Sequence, residues 1–340
     1  MRSFHASGIF DKNMRHCCII PFIVIVFLTA GCATPNVKLF TDATDPLQER
    51  VLSGEAMEKV VVVSVDGVIT DDPEKDFLSR KMPSMLQEVV SCLEMAAKDP
   101  AVKALVLKIN SPGGTITASD ILYRELMAFK NRTGARLVVS MMDVAASGGY
   151  YIALPADHIM AHPTTVTGSV GVIFISPKAY KLMDKIGVDI RVRKSGRNKD
   201  MGSPFREPTA EEDRLMDGII ADMADRFIGL VKERRGQDRI ALDEIQTARI
   251  FTASEALKAG LIDEIGYLDQ AIEKAKKMAG IPENARVVAY RRTRYPNDNV
   301  YNNLAANAGG AKSLVNIDLM DAIAARKTGF YYLWWPSAQE

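Results

Sequence analysis

Histidine is scarce in this chain of 340 residues: four occur, at His5, His16, His158 and His162. The shortage bears on chemistry, because imidazole is the side chain that most often moves a proton at neutral pH. A hydrolase built on this sequence must use another base unless His158 or His162 serves. Cysteine is as sparse, at Cys17, Cys18, Cys32 and Cys92, and the first three fall in or just after an amino-terminal apolar stretch, so no intramolecular disulfide is expected. Charge is nearly balanced, with a formal net of +1, and nothing in it points to nucleic acid. No internal repeat of about 20 to 50 residues is present, which excludes solenoids and propellers.

What is present begins at the amino terminus. Arg2, Lys12 and Arg15 precede an apolar stretch from Cys17 to Ala30 that is too short to span a bilayer comfortably, the pattern of an export signal. It ends in Leu28-Thr29-Ala30-Gly31-Cys32, which resembles the lipobox of bacterial lipoproteins, where the cysteine is acylated and becomes the first residue of the mature chain. Thr29 departs from the aliphatic residue usual there, while Ala30 and Gly31 suit the peptidase. The expectation is a signal peptide over residues 1–31 and a lipidated Cys32 in a bacterial cell envelope, with an uncleaved anchor as the alternative. Ala33 in place of aspartate points, by resemblance to lipoprotein sorting in Gram-negative bacteria, to the outer membrane. Cys92, among Val89, Val90, Leu93 and Ala96, has the surroundings of a packed core thiol.

Residues 32–57 are polar, with Pro35 and Pro46, and read as a tether. Order is expected from Val60, where Val60-Val61-Val62-Val63-Ser64-Val65 is a β-branched run closed by Asp66-Gly67, and again at Ala104 to Ile109, closed by Asn110-Ser111-Pro112-Gly113-Gly114. Helical spacing over 83–98, apolar repeats at Ile121, Leu122, Leu126 and Phe129, a strand from Leu137 to Met141, a helix after Ser147 and a helix over 177–186 continue the alternation, which means α/β. Thr209 and Glu212 form a capping box for a longer helix, with Leu215, Met216, Ile219, Ile220, Met223, Phe227 and Val231 as its buried stripe. A catalytic domain over 58–280 is expected, then an extension over 281–340. The extension carries a loose linker and the aromatic run Phe330-Tyr331-Tyr332-Leu333-Trp334-Trp335, either a core strand or an interfacial or substrate-facing patch.

The candidate chemistry centres on Ser147 in Ala146-Ser147-Gly148-Gly149-Tyr150-Tyr151. It sits between a strand and a helical pattern, where a hydroxyl is either a nucleophile or only an N-cap. The Gly148 N–H and the Pro112-Gly113-Gly114 turn supply two halves of a possible oxyanion hole. Lys199, in Lys194-Ser195-Gly196-Arg197-Asn198-Lys199-Asp200, reads by itself as a solvated surface charge.

Taken jointly and in order, Val65-Asp66-Gly67, Asn110 to Gly114, Ala146 to Tyr151, Thr167-Gly168-Ser169-Val170-Gly171-Val172, Lys194 to Asp200, and Ala259-Gly260-Leu261-Ile262-Asp263-Glu264 resemble the signal peptide peptidase A family over about residues 60–278. The resemblance implies the fold of the Clp proteolytic subunit and the crotonases, built from strand-strand-helix units. It implies a serine endopeptidase with Ser147 as nucleophile, Lys199 as general base, Ser169 orienting the lysine amine, and Gly114 and Gly148 as oxyanion donors. It also implies hydrophobic remnant signal peptides as substrates, a ring or dome of identical subunits with shared active sites, and no metal or nucleotide cofactor. A lysine acts as a base only when it is desolvated, so a buried, dry site is expected. Two other classes remain: an acyl-coenzyme A hydratase or isomerase of the crotonase type, and a catalytically silent membrane scaffold.

Overall fold

The computed structural model describes residues 45–75, 81–236, 238, 240–292, 295, 297–302 and 328–334. The expected signal peptide, Cys32 and the first half of the expected tether lie outside the described residues. The strands are β1 (Gln48–Ser53), β2 (Lys59–Asp66), β3 (Glu74–Lys75), β4 (Lys81–Met82), β5 (Val102–Ser111), β6 (Gly113–Thr115), β7 (Arg136–Ala146), β8 (His158–Ala161), β9 (Val166–Gly168), β10 (Ile173–Ile175), β11 (Ile250–Thr252), β12 (Glu264–Ile265), β13 (Arg286–Arg291) and β14 (Gly329–Leu333). The helices are α1 (Met85–Lys98), α2 (Ile116–Thr133), α3 (Gly148–Tyr151), α4 (Tyr180–Ile186), α5 (Ala210–Arg235), α6 (Leu242–Ile245), α7 (Ala253–Lys258) and α8 (Leu268–Ala279).

The class is α/β, as expected. The main sheet runs β1-β13-β2-β5-β7-β8-β12, parallel from β13 to β12, with β1 antiparallel on the edge. Burial on both faces explains the unbroken β-branched run of β2. Val61, Val63 and Val65 share a core with Val89 and Cys92 of α1 and Leu122 and Leu126 of α2, while Val60 and Val62 pack with Leu268, Ala271 and Ala275 of α8. The expected strand-strand-helix unit is plain where β5 passes through Pro112 into β6 and α2. Capping boxes at Ser84 with Gln87 and at Thr209 with Glu212 start α1 and α5. Cys92 is fully buried, and burial, with Glu88 nearby, pushes its thiol up to about 12, the state of an inert core group. Among the described residues, no helix is long and apolar enough to cross a membrane.

Several expectations need correcting. Residues 48–53 belong to the sheet, not to a tether: Arg50 pairs with Ala289 and Val51 with Val288. The expected domain end at residue 280 falls inside the fold, because β13 lies between β1 and β2. For the aromatic run, by contrast, the first of its two readings holds over residues 330–333, since β14 pairs with β10 and β6 and Tyr332 is fully buried. The helix after Ser147 is a single turn, followed by further turns up to Pro155. Its apolar spacing reflects burial on every side, with Tyr150, Tyr151, Ile152 and Ala153 all enclosed. The stripe on α5 is buried only in its second half: Phe227 and Val231 are enclosed, whereas Leu215 is 44% exposed.

Candidate active site

Strand β7 runs to Ala146, five residues past its expected end, and delivers Ser147 to a tight turn with φ 53° and ψ −114°. A non-glycine residue held there costs of order 1–3 kcal/mol and persists only when its surroundings fix it. Two contacts do so. The Ser147 N–H donates to the Gly168 carbonyl at 2.7 Å, and the Ser147 carbonyl accepts from the Tyr151 N–H at 2.8 Å. The short strand β9, parallel to the end of β7 with Ala146 opposite Gly168, brings that carbonyl into place. Ser169, the next residue, also has a positive φ of 51° and donates its N–H to the Arg249 carbonyl at 2.8 Å. It therefore stands beside the Ser147 turn.

The Ser147 hydroxyl is buried and has no hydrogen-bond partner. Such groups are rare in native proteins, and an unpaired hydroxyl at a strained turn is available for chemistry. It is not serving as an N-cap, for no side-chain cap bond forms. With α3 only four residues long, the anion-stabilising groups must be individual N–H donors and not a helix dipole. The Gly114 and Gly148 nitrogens lie close to one another beside this turn. A methyl group on Gly148 would lie 3.1 Å from the Gly114 nitrogen and 2.5 Å from the Ser119 hydroxyl, and one on Gly113 would lie 2.7 Å from the Gly148 nitrogen. The two backbone segments thus approach too closely for side chains.

Sequence reasoning missed the groups that hold this approach. The Ser111 hydroxyl accepts from the Gly113 N–H at 3.1 Å, and the Ser119 hydroxyl, against Gly148, donates to the Thr115 carbonyl at 2.9 Å. Ser111 was visible within the quoted motif, but Ser119 had no signal of its own. The Ala259 to Glu264 motif proves to be a support. Tyr150 donates to the Leu261 carbonyl at 2.7 Å, and Asp263 accepts from the Ile159 N–H at 2.8 Å and pairs with buried Arg235 at 2.7 Å.

Lys199 stands apart from this cluster. It is exposed, on a turn in which its N–H donates to the Gly196 carbonyl, and no hydrogen bond joins it to Ser147. The expected buried, dry lysine is therefore not formed within one chain. Its turn is nevertheless held firmly. Asp200 accepts from Lys194 at 2.5 Å and from Arg206 at 2.7 Å, and Arg206 also pairs with Glu212 at the start of α5. Arg206 and then Lys194 hold the Asp200 carboxyl well below the usual range, so these pairs persist at neutral pH. The segment around the turn exposes several apolar side chains, Leu182, Ile186, Val188, Ile190, Val192 and Phe205, among exposed charges such as Lys185, Asp189, Arg191 and Arg193.

The histidines are occupied elsewhere. His158 is at the beginning of β8, opposite Val138 and far along β7 from Ser147, and its Nε2 lies 3.1 Å from Glu264. His162 pairs through Nδ1 with the Thr164 hydroxyl at 2.8 Å and packs edge-on against Tyr267.

Comparison with known proteins adds to this geometry. Residues 130–282 match Peptidase family S49. The chain is 34% identical over 254 residues to the protein assigned as signal peptide peptidase SppA in Enterococcus faecium, covering 75% of this chain and 73% of that one. It is 30% identical over 267 residues to Protease 4 of Haemophilus influenzae, covering 78% of this chain and 42% of that longer one. Among solved structures, a mutant ClpP1 from Listeria monocytogenes aligns with a TM-score of 0.40 at 17% identity, over 62% of this chain and 94% of that one.

Proposed function

Because the chain belongs to the signal peptide peptidase A family, within peptidase family S49, and is a serine peptidase by that membership, we propose that Ser147 is its nucleophile, Lys199 its general base and hydrophobic peptides its substrates. The observation that carries this reading is the Ser147 hydroxyl, buried and unpartnered beside the convergent Gly114 and Gly148 nitrogens. Ser147 attacks the peptide carbonyl, the two N–H groups bind the oxyanion, and the lysine amine takes the serine proton and returns it to the leaving amine. Ser169 orients that amine. The exposure of Lys199 on a polar turn, in a segment that also exposes apolar side chains from Leu182 to Phe205, supports a base supplied to the neighbouring subunit of a homo-oligomer, where burial by the partner would desolvate it. Remnant signal peptides fit as substrates for an enzyme held at a membrane by an acylated Cys32.

A fluorophosphonate probe tests the nucleophile, because only an activated serine reacts with it. Wild-type protein is expected to be labelled at Ser147 and Ser147→Ala to remain unlabelled. An unlabelled wild-type chain would favour the hydratase or the silent scaffold. The anchor is tested by mass spectrometry of the mature amino terminus in the native host. An acylated Cys32 as first residue is expected, and a chain that begins at Met1 would instead mean an uncleaved anchor.

A further inference from the structure

Among the described residues, three besides glycine hold a left-handed φ: Ser147 at 53°, Ser169 at 51° and Ala248 at 56°. They are joined in series. Ser147 donates its N–H to the Gly168 carbonyl at 2.7 Å, and Ser169 donates its own to the Arg249 carbonyl at 2.8 Å. The turn at the nucleophile therefore rests on the turn at Ser169, and that one on residues 248 and 249. Side chains of this kind keep a left-handed backbone only where the surroundings fix it, so each strained turn depends on the next.

The last turn in the series is fixed by the Arg249 side chain. Strand β11 begins directly after it and pairs antiparallel with β9, with Ile250 opposite Gly168 and Phe251 opposite Thr167. The Arg249 guanidinium lies over the Phe251 ring at 4.1 Å, and it pairs with Glu244 of α6 at 2.8 Å and with Glu255 of α7 at 3.3 Å. It thus ties the helices on either side of the turn to the strand between them. Phe251 is buried, and a methyl group on Gly168 would meet its ring at 2.5 Å, so β9 and β11 are in close contact beside the Ser169 turn. Exposed ion pairs add little to stability, yet here two of them and a cation–π contact converge on one residue, whose own carbonyl holds Ser169.

We propose that Arg249 is a positioning residue for the reaction, clamping the turn that fixes Ser169 and so the geometry in which the lysine amine meets Ser147. The inference rests on the serine-peptidase reading, in which Ser169 orients that amine, and deepens it. With the Arg249 side chain removed, the carbonyl that Ser169 needs remains, but the turn that carries it is released. A displacement of about 1 Å at a site of proton transfer can cost about a hundredfold in rate.

The test uses the full-length chain, a hydrophobic chromogenic peptide and a double-mutant cycle with Ser169. Arg249→Ala is expected to lower kcat by about tenfold or more while KM stays within about twofold. Its thermal transition should remain, since the side chain is exposed. Arg249→Lys, which keeps the charge, is expected to recover part of the loss. In the Ser169→Ala background, Arg249→Ala should change kcat by less than about twofold, because the residue it acts through is already gone. A merely structural role would take the same factor from both backgrounds, and that additivity would overturn the inference. An unchanged kcat in folded Arg249→Ala would do so as well, as would full activity in Ser169→Ala. If Arg249→Ala loses its thermal transition, Glu244→Gln, which breaks one arm of the clamp and leaves the Glu255 capping box of α7 in place, reads the same cycle. Fluorophosphonate labelling separates the two levels. A labelled Ser147 with additive losses defeats this inference alone, whereas an unlabelled chain defeats the peptidase reading beneath it.

Discussion

Ser147→Ala and Lys199→Ala are each expected to lower kcat by about a thousandfold or more, since residues that act as one catalytic unit fail together when either is removed. Neither change should unfold the protein. The Ser147 hydroxyl is buried without a partner, so its removal costs no hydrogen bond and relieves an unpaired polar group. Lys199 is exposed, and surface truncations of that kind usually stay within about 0.5 kcal/mol. Thermal melts beside steady-state kinetics separate the two effects, and full activity in either variant would end the dyad. His158→Ala and His162→Ala serve as controls. Both rings are engaged away from Ser147, so kcat should change by no more than a few-fold, and its collapse in either would assign the base to histidine.

The second large effect is restoration. If Lys199 serves the Ser147 of a neighbour, co-assembled Ser147→Ala and Lys199→Ala subunits should regain activity that neither parent has. In a random equal mixture, roughly a quarter of the interfaces join an intact serine to an intact lysine, so about a quarter of wild-type activity is expected. Native mass spectrometry establishes that the oligomers are mixed. Mixed oligomers as inactive as either parent would place both residues in one chain. The exposed apolar side chains from Leu182 to Phe205 make the same surface sensitive to charge. They are the residues a neighbouring copy would cover in bringing Lys199 out of water.

The parts of the molecule legible in the sequence were those with local causes. The β-branched run of β2 and the Pro-Gly-Gly turn after β5 are decided by neighbours within a few residues, as are the capping boxes of α1 and α5. The site was legible to the extent that its motifs are short: Ser147, Gly114, Gly148 and Ser169 come together, although the strain at Ser147 leaves no mark in composition. Where pairing joins distant segments, the reading failed. The polar residues of β1 resemble a tether because an edge strand needs few apolar side chains, and only β13 makes them a strand. The run after Ser147 resembles a helix because a segment enclosed on all sides carries the same apolar residues whatever its backbone does. The exposure of Lys199 agrees with its local reading as a solvated surface charge, whereas the buried, dry base implied by the resemblance is not met within one chain, because desolvation depends on what covers a side chain and not on its neighbours in sequence.

The position of β13 has a consequence for how this chain is made. Among the described residues β13 is the only neighbour of β1 in the main sheet, and it separates β1 from β2. A chain synthesised from its amino end therefore makes residues 48–53 early but has nothing to pair them with until residue 291 has emerged. The first of the described strands to be made is among the last immobilised, and the sheet cannot close on a partial chain. Such long-range pairing slows folding, since a large loop must be ordered before the contacts that reward it can form. Nascent chains shorter than about 290 residues leave the β2 edge open, and that unpaired edge is the part of the molecule most in need of a chaperone during synthesis.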